Sequence, residues 1–268
     1  MIKDITLGQY FPGNSVIHRM DPRMKILLTI VFITILFIVN NFFGFFVALL
    51  FLIVVTAISK IPIKIVLKSV KPLLFIIIFT ALFNIFYGQG EPIFENISWL
   101  SWLTWNGIKR AAFMALRIVL LIIGTSFLTY TTSPIMLTDA VERLISPLKI
   151  LKLPVHELAM MMTIAMRFIP TLIDETEKIM NAQKARGADF ETGNIVRRAK
   201  SLIPILVPLI VSSFRRAEEL ADAMECRCYN GDNGRTRYKI YSFSTCDYLA
   251  ALVVLILVAI IILFNVII

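Results

Sequence analysis

From Met24 to Ile58 the chain runs thirty-five residues with Lys25 as its only charge. As one α-helix that run would be about 50 Å long, whereas the hydrocarbon core of a bilayer is about 30 Å thick and takes roughly 20 apolar residues to cross. Asn40-Asn41 followed by Gly44 supplies a break, so the run reads as a hairpin of two short spans, Met24–Val39 and Phe42–Ile58. Three further runs follow, Pro72–Tyr87, Ile108–Tyr130 and Tyr248–Ile268. The expected fold is an all-α polytopic membrane protein with about five transmembrane helices.

Composition agrees with that reading and adds a condition. Apolar residues make up 58% of the chain and charged ones 17%, against about 45–50% and about 25% in soluble domains. Yet 27 Lys and Arg stand against 18 acids, a net charge of +9, so a substantial part of the chain lies in water. Such an excess marks either an anionic partner or the cytoplasmic side of a membrane protein. The distribution decides. Lys3, Arg19, Arg23 and Lys25 open the first span, Lys60, Lys64, Lys68 and Lys71 fill the second loop, and residues 131–243 hold sixteen more. The Asn40-Asn41 loop has none, and the third loop carries Glu91, Glu95, Trp99, Trp102 and Trp105, with Lys109 and Arg110 at its far end. With the N-terminus cytoplasmic and the C-terminus outside, 24 of 27 basic residues fall on the cytoplasmic side and Arg117 lies within a span. Nucleic acid therefore falls away as a partner. Arg117 is expected to snorkel or to pair with a polar group such as Asn84.

Three segments follow from the distribution: residues 1–130 with four spans, residues 131–243 in the cytoplasm, and residues 244–268 with the last span. The middle one is helical in pattern. Ser133-Pro134 reads as a capped helix start, Pro154 opens a second helix ending at Arg186-Gly187, and a third begins near Asn194 and runs to about Arg227. The apolar stretches Ala159–Ile173 and Ser201–Phe214 are short, contain Arg167, Pro170, Pro204 and Pro208, and are read as stems rather than spans. The two long helices are thus arms with apolar stems and charged outer halves. The stem of the first carries Met160, Met161, Met162 and Met166, which serve either as a surface that repacks against partners or as packing between the arms. Asp174, Glu175 and Glu177 read as a solvated face.

Each arm ends on an arginine. Ala185-Arg186-Gly187 closes the first and Cys226-Arg227-Cys228 the second. A cation complements the negative end of a helix, and glycine permits a left-handed cap. An exposed guanidinium also carries five donors in a fixed fork, suited to a groove lined by carboxylates and carbonyls on another protein. Cys226 and Cys228 read either as small reduced side chains or as a metal or redox site; with Cys246 they are the only cysteines and point to a reducing compartment.

Ala182-Gln183-Lys184-Ala185-Arg186-Gly187 and Ala223-Met224-Glu225-Cys226-Arg227-Cys228-Tyr229 resemble the paired Ala-Arg-Gly motifs of the transmembrane coupling proteins of energy-coupling factor (ECF) vitamin importers, the EcfT or CbiQ/BioN-like family. Gly8-Gln9-Tyr10, Ser15, His18-Arg19-Met20-Asp21-Pro22-Arg23-Met24-Lys25 and Arg167-Phe168-Ile169-Pro170 also resemble family segments. The resemblance implies a non-catalytic subunit with two long crossing cytoplasmic helices, each tip docking into one of two ABC ATPases. A separate membrane-embedded S component would capture the vitamin and pack on the apolar stems, with Met161, Met162, Met166, Pro204 and Pro208 as the candidate contacts. ATPase docking would fall to Ala185, Arg186, Gly187, Cys226, Arg227 and Cys228. The second motif departs from the family pattern, so its helix end is expected to differ in shape. Asp21-Pro22-Arg23 is expected to anchor the N-terminal segment at the membrane rather than to bind a ligand. No phosphate loop, His-Glu-x-x-His or Gly-x-Ser-x-Gly occurs, so no ATP hydrolysis, metal or cofactor is expected of this chain. A subunit dedicated to biotin, cobalt or nickel, a lipid-modifying enzyme and a passive scaffold are the competing readings.

Overall fold

The computed structural model describes residues 10–86, 104–147, 154–190, 194, 196, 200–231 and 243–267, which form helices joined by short connections. Gly8, Gln9, Tyr87, Glu91, Glu95, Trp99 and Trp102, used in the sequence reading, lie outside them. The described residues fall into two compact units: those up to Ala140 together with those from 243 onward, and those from Val141 to 231.

The first unit is a helical bundle: α1 (Val16–Arg19), α2 (Pro22–Ile38), α3 (Phe42–Ser59), α4 (Ile63–Val70), α5 (Leu74–Phe86), α6 (Trp105–Thr131) and α10 (Thr245–Ile267); α7 (Pro134–Ile145), which starts at Pro134 as its sequence predicts, is divided between the two units. Among the described residues α3, the joined α4–α5, α6 and α10 are long and apolar enough to cross a membrane. The remaining expected span, α2, has 17 residues, a rise of about 25 Å. The Asp21 side chain caps it at one end, accepting from Arg23 N at 2.9 Å, and the Asn40-Asn41 break stops it at the other. The helix that holds the third expected span begins earlier than Pro72. A single turn of 3-10 helix, Lys71–Leu73, takes Pro72 at its first positions, where no amide is needed, so the chain stays helical from Ile63 to Phe86.

Three contacts fix the register of α2 against α6 as antiparallel. Lys25 Nζ donates to Thr131 O, Phe32 packs on Gly124, and Arg117 donates to Val39 O at 2.6 Å. A methyl group at Gly124 would overlap the Phe32 ring, so this glycine sets how closely the two helices approach. α10 runs parallel to α2: Asp21 N donates to Asp247 Oδ1 at one end and Asn265 Nδ2 donates to Ile38 O at the other. Phe32, Ile35 and Leu36 of α2, Phe45 and Leu52 of α3, Leu120 and Phe127 of α6 and Leu257 and Ile261 of α10 make the core. The outward faces are as apolar as the core: Phe37, Leu50, Ile53, Phe75, Phe79 and Leu255 are all exposed. In water so large an apolar surface would drive association, whereas in lipid it needs no cover.

Arg117 does not pair with Asn84, whose amide instead donates to Thr80 O one turn back. It reaches the α2–α3 break, bonding Val39 O and Asn40 Oδ1 and lying over the Phe45 ring. The carbonyls at the end of α2 lack helical partners and carry partial negative charge, so a guanidinium there satisfies both needs.

The N-terminal segment is tied down at the opposite end of α2. His18 bonds Ser15 Oγ at 2.7 Å and Phe11 O at 3.0 Å through its two ring nitrogens. Lys25 Nζ donates to Thr131 O at 2.9 Å, Thr132 Oγ1 at 3.3 Å and His18 O at 3.4 Å. Asp247 accepts from Asp21 N at 2.9 Å and Ser244 N at 2.7 Å. Ser15, Asp21, Lys25, Thr131 and Asp247 are all buried, so the anchoring role expected of Asp21-Pro22-Arg23 is played by a wider polar knot joining four helices.

Candidate functional site

The second unit holds two long helices, α8 (Val155–Ala185) and α9 (Ile203–Glu225). α8 starts after Pro154 as its sequence predicts. α9 runs from Ile203 with Pro204 in its first turn, where a missing amide costs nothing; Val196, Lys200 and Ser201 before it are also helical, and most of the stretch after the expected start near Asn194 lies outside the described residues. Pro170 and Pro208 lie inside their helices and both are exposed.

Three contacts pair the arms along their length. Gln183 Nε2 donates to Pro204 O at 3.4 Å, Arg216 Nη2 pairs with Glu175 Oε2 at 2.5 Å, and Tyr229 Oη approaches Met160 Sδ at 3.0 Å. The residue numbers rise on one helix as they fall on the other, so the arms run antiparallel. Glu175 is therefore a bridge to the second arm, and not part of a solvated face. Each tip lies beside the start of the other arm. The run along α8 from Met160 to Arg186 separates the two arginines by about 40 Å.

Both tips are built the same way. At the first, Arg186 N reaches Ala182 O at 3.3 Å, Gly187 N reaches Lys184 O at 3.0 Å, and Ala188 N closes back on Gln183 O at 3.0 Å. At the second, Cys226 N reaches Asp222 O at 2.9 Å, Cys228 N reaches Glu225 O at 2.8 Å, and Tyr229 N closes on Met224 O at 3.1 Å. In each, the residue after the arginine is left-handed, Gly187 at φ +86° and Cys228 at φ +55°. This is the cap in which an amide beyond the helix end satisfies a carbonyl of the last turn. The loss of glycine at 228 has not changed the shape of the helix end, contrary to expectation. It has placed a side chain where the backbone disfavours one. Replacing Cys228 with Gly is therefore expected to stabilise the arm by about 1 kcal/mol, read as a rise in melting temperature of the purified chain; Gly187→Ala shifts it the other way.

Ala185, Arg186, Gly187, Cys226, Arg227 and Cys228 are all exposed. Neither Arg186 nor Arg227 makes a side-chain hydrogen bond or ion pair among the described residues. The three cysteines are free, and among the described residues no group of three or more His, Cys, Asp or Glu could hold a metal ion.

Of the candidate stem contacts, Met161, Met162, Pro204 and Pro208 are exposed and Met166 is half-buried. The larger apolar surface belongs to residues that sequence reasoning did not single out. Ile203, Leu206, Val207, Ile210, Val211 and Phe214 recur at helical spacing on α9 and are each 45–68% exposed. That period of three and four was present in the sequence, but Pro204 and Pro208 drew attention to breakage instead.

The family model for CbiQ, described as a cobalt transport protein, matches residues 13–238. The chain is 55% identical over 251 residues to the energy-coupling factor transporter transmembrane protein EcfT of Ruminiclostridium cellulolyticum, covering 93% of this chain and 92% of the relative. It is 54% identical over 263 residues to EcfT of Clostridium kluyveri, covering 97% and 96%. EcfT of Bacillus subtilis is 46% identical over 239 residues, covering 89% and 90%. Matches of this length and identity, on a helical membrane bundle with two capped arms, place the chain in the CbiQ family, among the transmembrane proteins of energy-coupling factor transporters.

Proposed function

We propose that the chain is the non-catalytic coupling subunit of its transporter, passing ATP-driven movement of two ABC ATPases to a separate S component that carries a vitamin. The observation that supports this most is the repeated tip. Two helix ends of the same backbone shape, each presenting an arginine with no side-chain partner among the described residues, stand about 40 Å apart at opposite ends of one antiparallel pair. That is the arrangement two copies of one receptor, or two close relatives, would engage simultaneously. Lever-like motion follows naturally, since the Arg216–Glu175 pair between the tips ties the arms together. ATP hydrolysis then resides in the partner chains, and the N-terminus is cytoplasmic with the C-terminus outside.

The exposed stripe on α9, with Met161 and Met162, is the surface offered to the S component. Replacing Val211 and Phe214 together by Asp is expected to lower S-component recovery with a tagged chain at least a hundredfold, since burying each such side chain contributes about 1.5–3 kcal/mol. ATPase recovery should stay unchanged. Retention of the S component by this variant would remove the stripe from the interface. ATP-dependent vitamin uptake into vesicles holding all the subunits tests the whole reading, and recovery of several different S components with one tagged chain would mark the subunit as shared.

A further inference from the structure

We propose that the elbow between α3 and α4 binds an anionic phospholipid, its phosphate held by Lys60, Lys64 and Lys68 and one acyl chain lying in the apolar cavity beside them. α3 ends at Ser59, and Lys60 turns the chain in a left-handed conformation, φ +56°, that a side chain seldom adopts. Next to it lies a cavity of about 530 Å³ between α3 and α4, closed on one side by Ile123 of α6. Apart from Thr56 its wall is otherwise apolar, with Ile53, Ala57, Ile63 and Leu67 prominent, and among the described residues Lys60 is the only charged one in it.

Lys64, Lys68 and Lys71 follow at one-turn intervals, all exposed, and no Asp or Glu occurs between Asp21 and Glu91. None of the four lysines makes an ion pair or side-chain hydrogen bond among the described residues. Four like charges on one turn and one short helix repel each other, and an anion set among them relieves that repulsion. Ile63 and Leu67 stay exposed beside the lysines, the pattern of a helix lying at a membrane surface. A topological charge bias accounts for lysines in a loop. It does not account for a lysine held in the mouth of an apolar cavity. An acidic protein surface would satisfy the charges but would bring nothing to fill the cavity. A phospholipid brings both, and the elbow sits at the end of spanning helices, where headgroups lie.

The test uses the full chain in nanodiscs of equal phosphatidylglycerol and phosphatidylcholine, released for native mass spectrometry. The unaltered chain is expected to retain one phosphatidylglycerol with at least tenfold preference over phosphatidylcholine. Each surface lysine contributes roughly fivefold to attraction of anionic lipid, so Lys60→Gln with Lys64→Gln and Lys68→Gln should abolish the preference, while the three Lys→Arg changes keep it. Ala57→Phe, which fills the cavity and leaves every lysine in place, should also lose the retained lipid. Equal retention of the two lipids by the unaltered chain overturns the proposal without recourse to any variant. So does undiminished retention in Ala57→Phe, displacement of the lipid by glycerophosphoglycerol lacking acyl chains, or occupation of the elbow by a co-purifying acidic protein in place of lipid.

Discussion

Reversing the charge at both arm tips, Arg186→Glu with Arg227→Glu, is expected to abolish recovery of ABC ATPases with the chain and all ATP-dependent uptake. Both side chains are exposed and make no bond among the described residues, so their replacement leaves the arms folded. Losing one member of a docked, hydrogen-bonded charge pair costs about 2–5 kcal/mol, and a reversed charge adds repulsion to that loss. One tip alone therefore weakens by on the order of a hundredfold or more. The single variants should still recover some ATPase, because two tips joined on one rigid pair reinforce each other and one remaining contact keeps the complex tethered. Arg186→Lys separates charge from shape: the cation stays, the planar fork is lost, and an intermediate affinity is expected. Lys178→Glu, exposed on the same arm but away from the tip, serves as the control for charge alone. Undiminished recovery by the double variant would show that the arginines only complement their helix ends.

The spans were legible because a bilayer leaves little choice: an apolar run of that length has to be helical and has to be lipid-facing on one side. The end of α8 was legible too, since glycine after a cationic last turn is a signal carried by residue type. The matching end of α9 was not. A cysteine at the left-handed position carries no compositional signal, and the six-residue closure of Tyr229 N on Met224 O is a property of the backbone. Arg117 shows the same limit from another side. A search among side chains finds Asn84, but the partner that wins is the carbonyl of Val39, an acceptor that every residue has and that only the end of a helix leaves free. Asp247 was the least visible of all. It sits just before an expected span and looks like an ordinary interfacial acid until the fold carries it to the amide of Asp21, 226 residues away.

That position is where a single substitution should damage the membrane unit most. Asp247 is 1% exposed, and its two oxygens take the amides of Asp21 and Ser244. Asp247→Ala leaves the buried amide of Asp21 without an acceptor, at about 1–3 kcal/mol, frees the part-buried amide of Ser244, and takes a negative charge from the neighbourhood of the buried Lys25. The expected loss is about 3–5 kcal/mol, more than most single substitutions cause. It should appear as a large drop in melting temperature in detergent and a low yield from membranes. Asp247→Asn keeps an acceptor oxygen for one of the amides and should lose less. Lys25→Met removes the donor to Thr131 O and a cation whose charge Asp247 and Asp21 favour, so it too should destabilise. Combined with Asp247→Asn, however, it should cost less than the two changes added together, because the double variant no longer buries a charge whose partner is missing. Strict additivity would mean that the lysine and the aspartate stabilise the helices independently. A melting temperature unchanged by Asp247→Ala would mean that α10 is held to α2 by its apolar face and the Asn265–Ile38 bond alone.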